Sequence, residues 1–124
     1  MKLKFSKIIQ FIFAFALLFF GGNKIFQFML PPPAPEVAWV YWDALNSSKT
    51  MSLVAFVEII AGLSLLFNKY TALTMLVLMS VSVNAVLYHL TLDLNGIPMA
   101  LVLIVLNSYM LYGNRHAYKD IIRE

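Results

Sequence analysis

The stretch Thr50–Asn68, "TMSLVAFVEIIAGLSLLFN", decides how the rest of the chain is read. It holds one charge, Glu58, in a run that is otherwise apolar, small or hydroxyl-bearing. Its length is close to the roughly 20 residues an α-helix needs to cross the hydrocarbon core of a bilayer. Backbone polar groups in lipid must be satisfied inside the segment, so a spanning run of this kind is a helix. Composition excludes a soluble domain as the leading class. Of 124 residues, 61% are hydrophobic and 12% are charged, against roughly 45–50% and about 25% in soluble domains. The mean hydropathy is +0.81. So few charges cannot cover a water-facing surface.

Three further runs have the same character. Ile8–Asn23 is uncharged between Lys7 and Lys24, Thr71–Leu92 is uncharged with His89 neutral, and Ile97–Gly113 is uncharged. The expectation is an all-α, four-helix transmembrane bundle in one domain, residues 1–124, with spans at 8–23, 50–68, 71–92 and 97–113. The first and last runs are slightly short and extend into their flanks, with lysine stems snorkelling to the boundary. The first run has the basic start and apolar centre of a signal peptide. However, "LFFGGNKIF" lacks the small-x-small cleavage pattern, so it is read as a retained span.

Direction follows from the basic residues, which favour the cytoplasmic side. An even number of spans puts both termini on one side. That side holds Lys2, Lys4, Lys7, Lys69, Arg115, Lys119 and Arg123; the other holds Lys24 and Lys49. Both termini are therefore expected in the cytoplasm. The net charge of +3 and a pI near 9.3 reflect these helix-end lysines and arginines rather than a nucleic-acid surface. Cysteine is absent, which excludes disulfides and thiolate chemistry. Two histidines, His89 and His116, make a dedicated metal site an unpromising reading.

The external loop, residues 29–49, contains Pro31, Pro32, Pro33 and Pro35, which cannot continue a helix. From Pro35 to Leu45 a short helix is expected, with proline and Glu36 suited to its first turn. Trp39, Tyr41 and Trp42 are residue types that favour the headgroup layer, so this helix should lie at the membrane interface and offer those rings to lipid or a partner.

Helices in lipid meet through small residues and interhelical hydrogen bonds. Faces at helical spacing are Gln10, Ala14, Leu17, Gly21 and Lys24 in the first span and Ala55, Glu58, Gly62 and Leu65 in the second. They are Val77, Ser80, Asn84 and Tyr88 in the third, and Ala100, Leu103, Asn107, Met110 and Asn114 in the fourth. These faces are expected to form the interior seam, with Phe, Leu and Val turned to lipid. At 1.5 Å per residue, Glu58 and Asn84 each lie roughly 12 Å below the outer boundary and His89 roughly 5 Å. With Lys24 at the outer end of the first span, four polar side chains share the outer half of the membrane: Lys24, Glu58, Asn84 and His89. A lone carboxylate at mid-helix costs about 2.5–3.5 kcal/mol on insertion scales, so Glu58 requires a cation, a proton or donors. Lys24 is the nearest candidate. Asn84 and His89 stand about 140° apart on an ideal helix, which obstructs a shared target.

The ordered set resembles the DoxX family of small bacterial membrane proteins. The resemblance runs from about Phe11 to the C-terminus. It rests on an aromatic first span ending "GGNKIF", a proline-rich external segment, "VEIIAGLSLLFNKYTALTMLVL" with Glu58 and Gly62, and "SVNAVLYHLTLDLNGIPMALVLIVLN" with Asn84, His89 and the Asp93/Gly96/Pro98 turn. "DLNG" stands where many relatives have a proline after the aspartate. The resemblance implies a four-helix protein of the bacterial cytoplasmic (inner) membrane, in a family associated with quinone-linked sulfur oxidation and oxidative-stress membrane complexes.

Three functions follow. The first is an accessory subunit of a redox complex, without independent catalysis, holding a quinone near Lys24, Glu58, Asn84 and His89. His89 or Asn84 would donate to the quinone carbonyls and Glu58 would relay protons. The second is a non-enzymatic binding or assembly protein in which Lys24 and Glu58 lock the bundle. The third, with least support, is small-molecule transport, which would require a homo-oligomer. No catalytic residue and no metal ligand is assigned.

Overall fold

A computed structural model describes residues 2–26 and 33–119, with side chains from Ser6 onward. Pro31 and Pro32 of the proline run and Arg123 of the charge bias lie outside the described residues, as do the side chains of Lys2 and Lys4. The described chain is helical nearly throughout. It comprises α1 (Lys2–Phe26), α2 (Glu36–Ser47), α3 (Thr50–Phe67), α4 (Thr71–Thr91) and α5 (Ile97–Gly113), with 3-10 turns at Leu94–Gly96 and Arg115–Tyr118. Four segments are long and apolar enough to cross a membrane: Ser6–Phe26, Thr50–Phe67, Thr71–Thr91 and Leu94–Gly113. The chain is thus a four-helix membrane bundle with a short helix between the first two spans. The first span is longer than its uncharged run, because Lys7 and Lys24 are carried inside the helix.

Helix ends follow local chemistry. Pro35 precedes α2 and accepts from the amides of Ala38 and Trp39 at 3.0 and 3.3 Å, with Glu36 in the first turn. The α3–α4 turn needs two left-handed residues, Asn68 (φ 55°) and Tyr70 (φ 58°). It is held by Ser64. The Ser64 carbonyl accepts from the Lys69 amide at 3.0 Å, its hydroxyl donates to the Lys69 carbonyl, and Thr74 Oγ1 donates to that hydroxyl at 2.9 Å. Pro98 lies in the first turn of α5, where its missing N–H costs nothing.

Packing is sequential around an incomplete ring. α1 lies closely on α3, α3 on α4 and α4 on α5, and α2 rests on α3. The core joins Phe13, Ala14 and Leu17 of α1, Ala61 and Leu65 of α3, Met75 and Leu78 of α4, and Met110 of α5. Two glycines set the tightest crossing. A Cβ on Gly21 would stand 2.8 Å from Ile59 Cγ1, and one on Gly62 would stand 2.9 Å from both the Ala14 carbonyl and Leu18 Cγ. Backbones that close bring dispersion contacts which replace the missing hydrophobic drive between helices in lipid.

The interior faces of α1, α3 and α5 contain the residues expected from sequence. Two expectations need correction. Phe13 is buried in the core rather than lipid-facing. The face of α4 differs from the expected one at three of its four residues: Val77, Ser80 and Asn84 are exposed while Met75, Leu78 and Ser82 are buried, and Tyr88 alone of the expected face is buried. The reason lies in the serines. Ser80 bonds back to its own helix, at the Val77 carbonyl (2.8 Å), and so needs no neighbour. Ser82 donates to Asn107 Oδ1 at 2.7 Å, and Asn107 Nδ2 donates to the Met75 carbonyl at 3.0 Å, fully buried between α4 and α5.

Gly62→Ala is expected to destabilise the bundle by about 1–3 kcal/mol, the usual cost of overpacking. Gly113→Ala, where an added methyl meets nothing within 4 Å, should be neutral. Denaturant-driven unfolding in mixed micelles, compared for the two variants, checks the pair.

Candidate functional site

The close α1–α3 crossing positions the charged pair. Gly21 would bring a Cβ within 3.2 Å of Glu58 Cβ, so the turn above it delivers Lys24 directly over the carboxylate. Lys24 Nζ lies 2.7 Å from Glu58 Oε1. The contact is an ion pair at hydrogen-bonding distance. The partners differ in burial: the Lys24 side chain is 22% exposed and that of Glu58 5%.

Two neighbouring cavities share this pair. The smaller, about 160 Å³, lies under α2 and is walled by Tyr41, Trp42, Asn84 and Tyr88 together with Lys24, Glu58 and His89. The larger, about 260 Å³, opens where α1 and α5 fail to pack closely and is otherwise apolar. Phe13, Ala16, Leu17 and Phe20 form one wall and Met99, Ala100, Val102 and Leu103 the other. Lys24, Glu58, Ala85, His89 and Leu103 line both. A polar junction thus separates an aromatic chamber from an apolar slot. A larger groove at the opposite end of α3 and α4, about 700 Å³, is an open apolar surface around Phe67 and Tyr70 and holds no comparable polar group arrangement.

All four polar residues expected from sequence line the smaller cavity. The angular obstacle between Asn84 and His89 disappears without any helix distortion. Asn84, Tyr88, Val81, Ala85 and His89 occupy successive positions on one arc of α4 spanning about 140°, and the cavity follows that whole arc. Asn84 sits at its exposed edge and donates to Tyr41 Oη at 3.3 Å. The aromatic trio of α2 is divided. Tyr41 stacks on Tyr88 with centroids 5.2 Å apart, and Trp42 meets the same ring edge-on at 6.1 Å. Trp39 turns back to donate to the Ala34 carbonyl at 3.1 Å.

Three residues named in the sequence only as a helix face or a turn also contribute to the site. Tyr88 is buried at the centre of the aromatic cluster, edge-on to His89 at 4.8 Å. Its hydroxyl has no hydrogen-bond partner among the described residues. Asp93 is buried, with Oδ2 4.0 Å from His89 Nδ1. Its position four residues after His89 is the legible signal, since such a pair shares one helix face. Gly96 packs against the His89 ring so closely that any side chain there would collide with it. Among the described residues, no three His, Cys, Asp or Glu side chains are grouped to hold a metal ion.

Comparison of the chain with known protein families, curated proteins and solved structures returns no match.

The unequal burial of the pair predicts unequal costs. Lys24→Met strands a buried carboxylate and should destabilise by about 3 kcal/mol. Glu58→Gln leaves a lysine that reaches the interface and should cost about 1 kcal/mol. The double variant should lose less than the sum, read as a coupling energy in micelle unfolding. Tyr88→Phe removes an unpartnered hydroxyl and should change stability by less than about 1 kcal/mol.

Proposed function

We propose that the chain is a DoxX-like accessory subunit of a quinone-linked redox complex in a bacterial cytoplasmic membrane, and that the paired cavities receive a quinone. The observation that carries this reading is the junction of an aromatic, polar chamber with an apolar slot at Lys24, Glu58 and His89. A quinone has that shape: a flat ring with polar edges and a long apolar tail. The ring suits a chamber walled by Tyr41, Trp42 and Tyr88, and the tail suits the slot between α1 and α5. Together the cavities fall in the size range of small-molecule sites, roughly 300–1,000 Å³. With both termini cytoplasmic, the chambers lie toward the external leaflet. Entry is then lateral, from lipid. Trp39 and Val40, on the exposed side of α2, form the surface offered to a partner subunit.

A second reading is favoured by one observation of its own. The 2.7 Å pair sits at the glycine-tight crossing of α1 and α3, where it would also fasten a purely structural bundle. Ala85 distinguishes the two, because it lines both cavities and carries no charge. Ala85→Leu should fill the junction, leave the ion pair intact and abolish quinone retention. Quinone extracted from protein purified in mild detergent is the measurement. Quinone in the wild type, lost at least roughly tenfold in the variant, supports the site. No quinone in either, with stability dependent on the Lys24–Glu58 pair, supports the structural reading.

A further inference from the structure

The groove at the α3–α4 turn, about 700 Å³, is larger than the two chambers together and has no part in the quinone reading. Its wall changes character along the helix axis. Ile60, Leu63 and Phe67 follow one another over two turns of α3, a length of roughly 10 Å, and Leu73 of α4 lines the same space. Lys69 and Tyr70 close the end at the membrane boundary. Ser64 and Thr74 also border it, but their hydroxyls are used inside the turn. Ser64 donates to the Lys69 carbonyl, and Thr74 donates to Ser64 at 2.9 Å. The groove is thus lined for hydrocarbon up to a cationic end.

That end gathers the basic residues of other segments. Gln10, one turn after Lys7 on α1, donates to Asn68 Oδ1 at 3.3 Å. Thr71 donates to Asn114 Oδ1 at 3.2 Å, beside Arg115. The Ala72 carbonyl accepts from the Tyr118 hydroxyl at 2.6 Å, next to Lys119. Lys7, Lys69, Arg115 and Lys119 are all exposed there. Among the described residues no carboxylate shares this end: Glu36, Asp43 and Asp93 lie at the opposite one and Glu58 is mid-span. Asp120 and Glu124 lie outside the described residues. We propose that the groove seats an anionic phospholipid, with an acyl chain along Ile60, Leu63 and Phe67 and its phosphate at Lys69. An apolar wall alone selects nothing in a bilayer. A groove of this length that ends on a cation at headgroup depth selects hydrocarbon and negative charge at that spacing. A zwitterionic lipid has the same chains, but its ammonium offsets the phosphate against the clustered cations. Basic pockets at the cytoplasmic ends of membrane helices bind acidic headgroups on this principle. One lysine near such a headgroup is worth a preference of about fivefold. The site stands independently of the quinone chambers.

Native mass spectrometry of the full chain in mild detergent tests this, with phosphatidylglycerol and phosphatidylcholine of identical acyl chains titrated in turn. The wild type should retain phosphatidylglycerol about fivefold better. Lys69→Gln should abolish the preference, and Leu63→Trp, which fills the groove, should reduce retention of both lipids. Lys49→Gln, at the opposite end of α3, should leave both unchanged. Glycerol 3-phosphate, which carries the charge without the chains, should not compete. Equal retention of the two lipids by the wild type overturns the site. So does a preference that survives Lys69→Gln or falls as far in Lys49→Gln, because it reports attraction to net charge alone. Wild-type retention in Leu63→Trp, or competition by glycerol 3-phosphate, overturns the placement of the chain. Lys69 and Leu63 are both exposed, so neither variant disturbs the core.

Discussion

A carboxylate in the middle of a membrane helix must be matched, and the architecture is organised around how Glu58 is matched. Left alone it would cost about 2.5–3.5 kcal/mol on insertion scales. Lys24 supplies the counter-charge at 2.7 Å, but only because α1 lies almost in contact with the backbone of α3. That proximity depends on Gly21 and Gly62, where no Cβ fits without displacing Ile59, Ala14 or Leu18. The glycines, the crossing and the ion pair form one constraint. Desolvation makes the pair an unreliable source of net stability, whereas it does define which turn of α1 meets which turn of α3.

With α1 held on α3, the remaining spans add in chain order, and Asn107 fixes α5 to α4 through Ser82 and the Met75 carbonyl. The ring does not close between α5 and α1 around Lys24, and that opening is the apolar slot. Space is left beside the charged pair, and the short helix α2 roofs the smaller of the two chambers. The same constraint that satisfies Glu58 thus places a carboxylate, an ammonium and an imidazole at the meeting of two chambers.

Much of this was legible in the sequence, because charge in a membrane span is rare enough to be informative. Glu58, Gly62 and Ala55 mark one face, Lys24 and Gly21 another, and their pairing follows because Lys24, at the outer end of its span, is the nearest cation to the carboxylate. Asn107 was equally plain. The face of α4 was not, since Ser80 and Asn84 looked like interior polar residues. Ser80 satisfies itself on its own helix, and Asn84 finds Tyr41 across the cavity edge. Hydroxyl residues that bond locally carry no information about which way a helix faces. Phe13 was misjudged for a related reason: in lipid an aromatic ring is equally at home inside or outside.

The central claim is that Lys24 and Glu58 meet inside the bilayer and set the junction of the two chambers. Solid-state NMR of the protein in lipid bilayers, labelled with ¹⁵N at lysine Nζ and ¹³C at glutamate Cδ, addresses it directly. A strong dipolar contact between Lys24 Nζ and Glu58 Cδ is the result this account predicts. Absence of that contact, with the Lys24 ammonium directed to the headgroups, would contradict it.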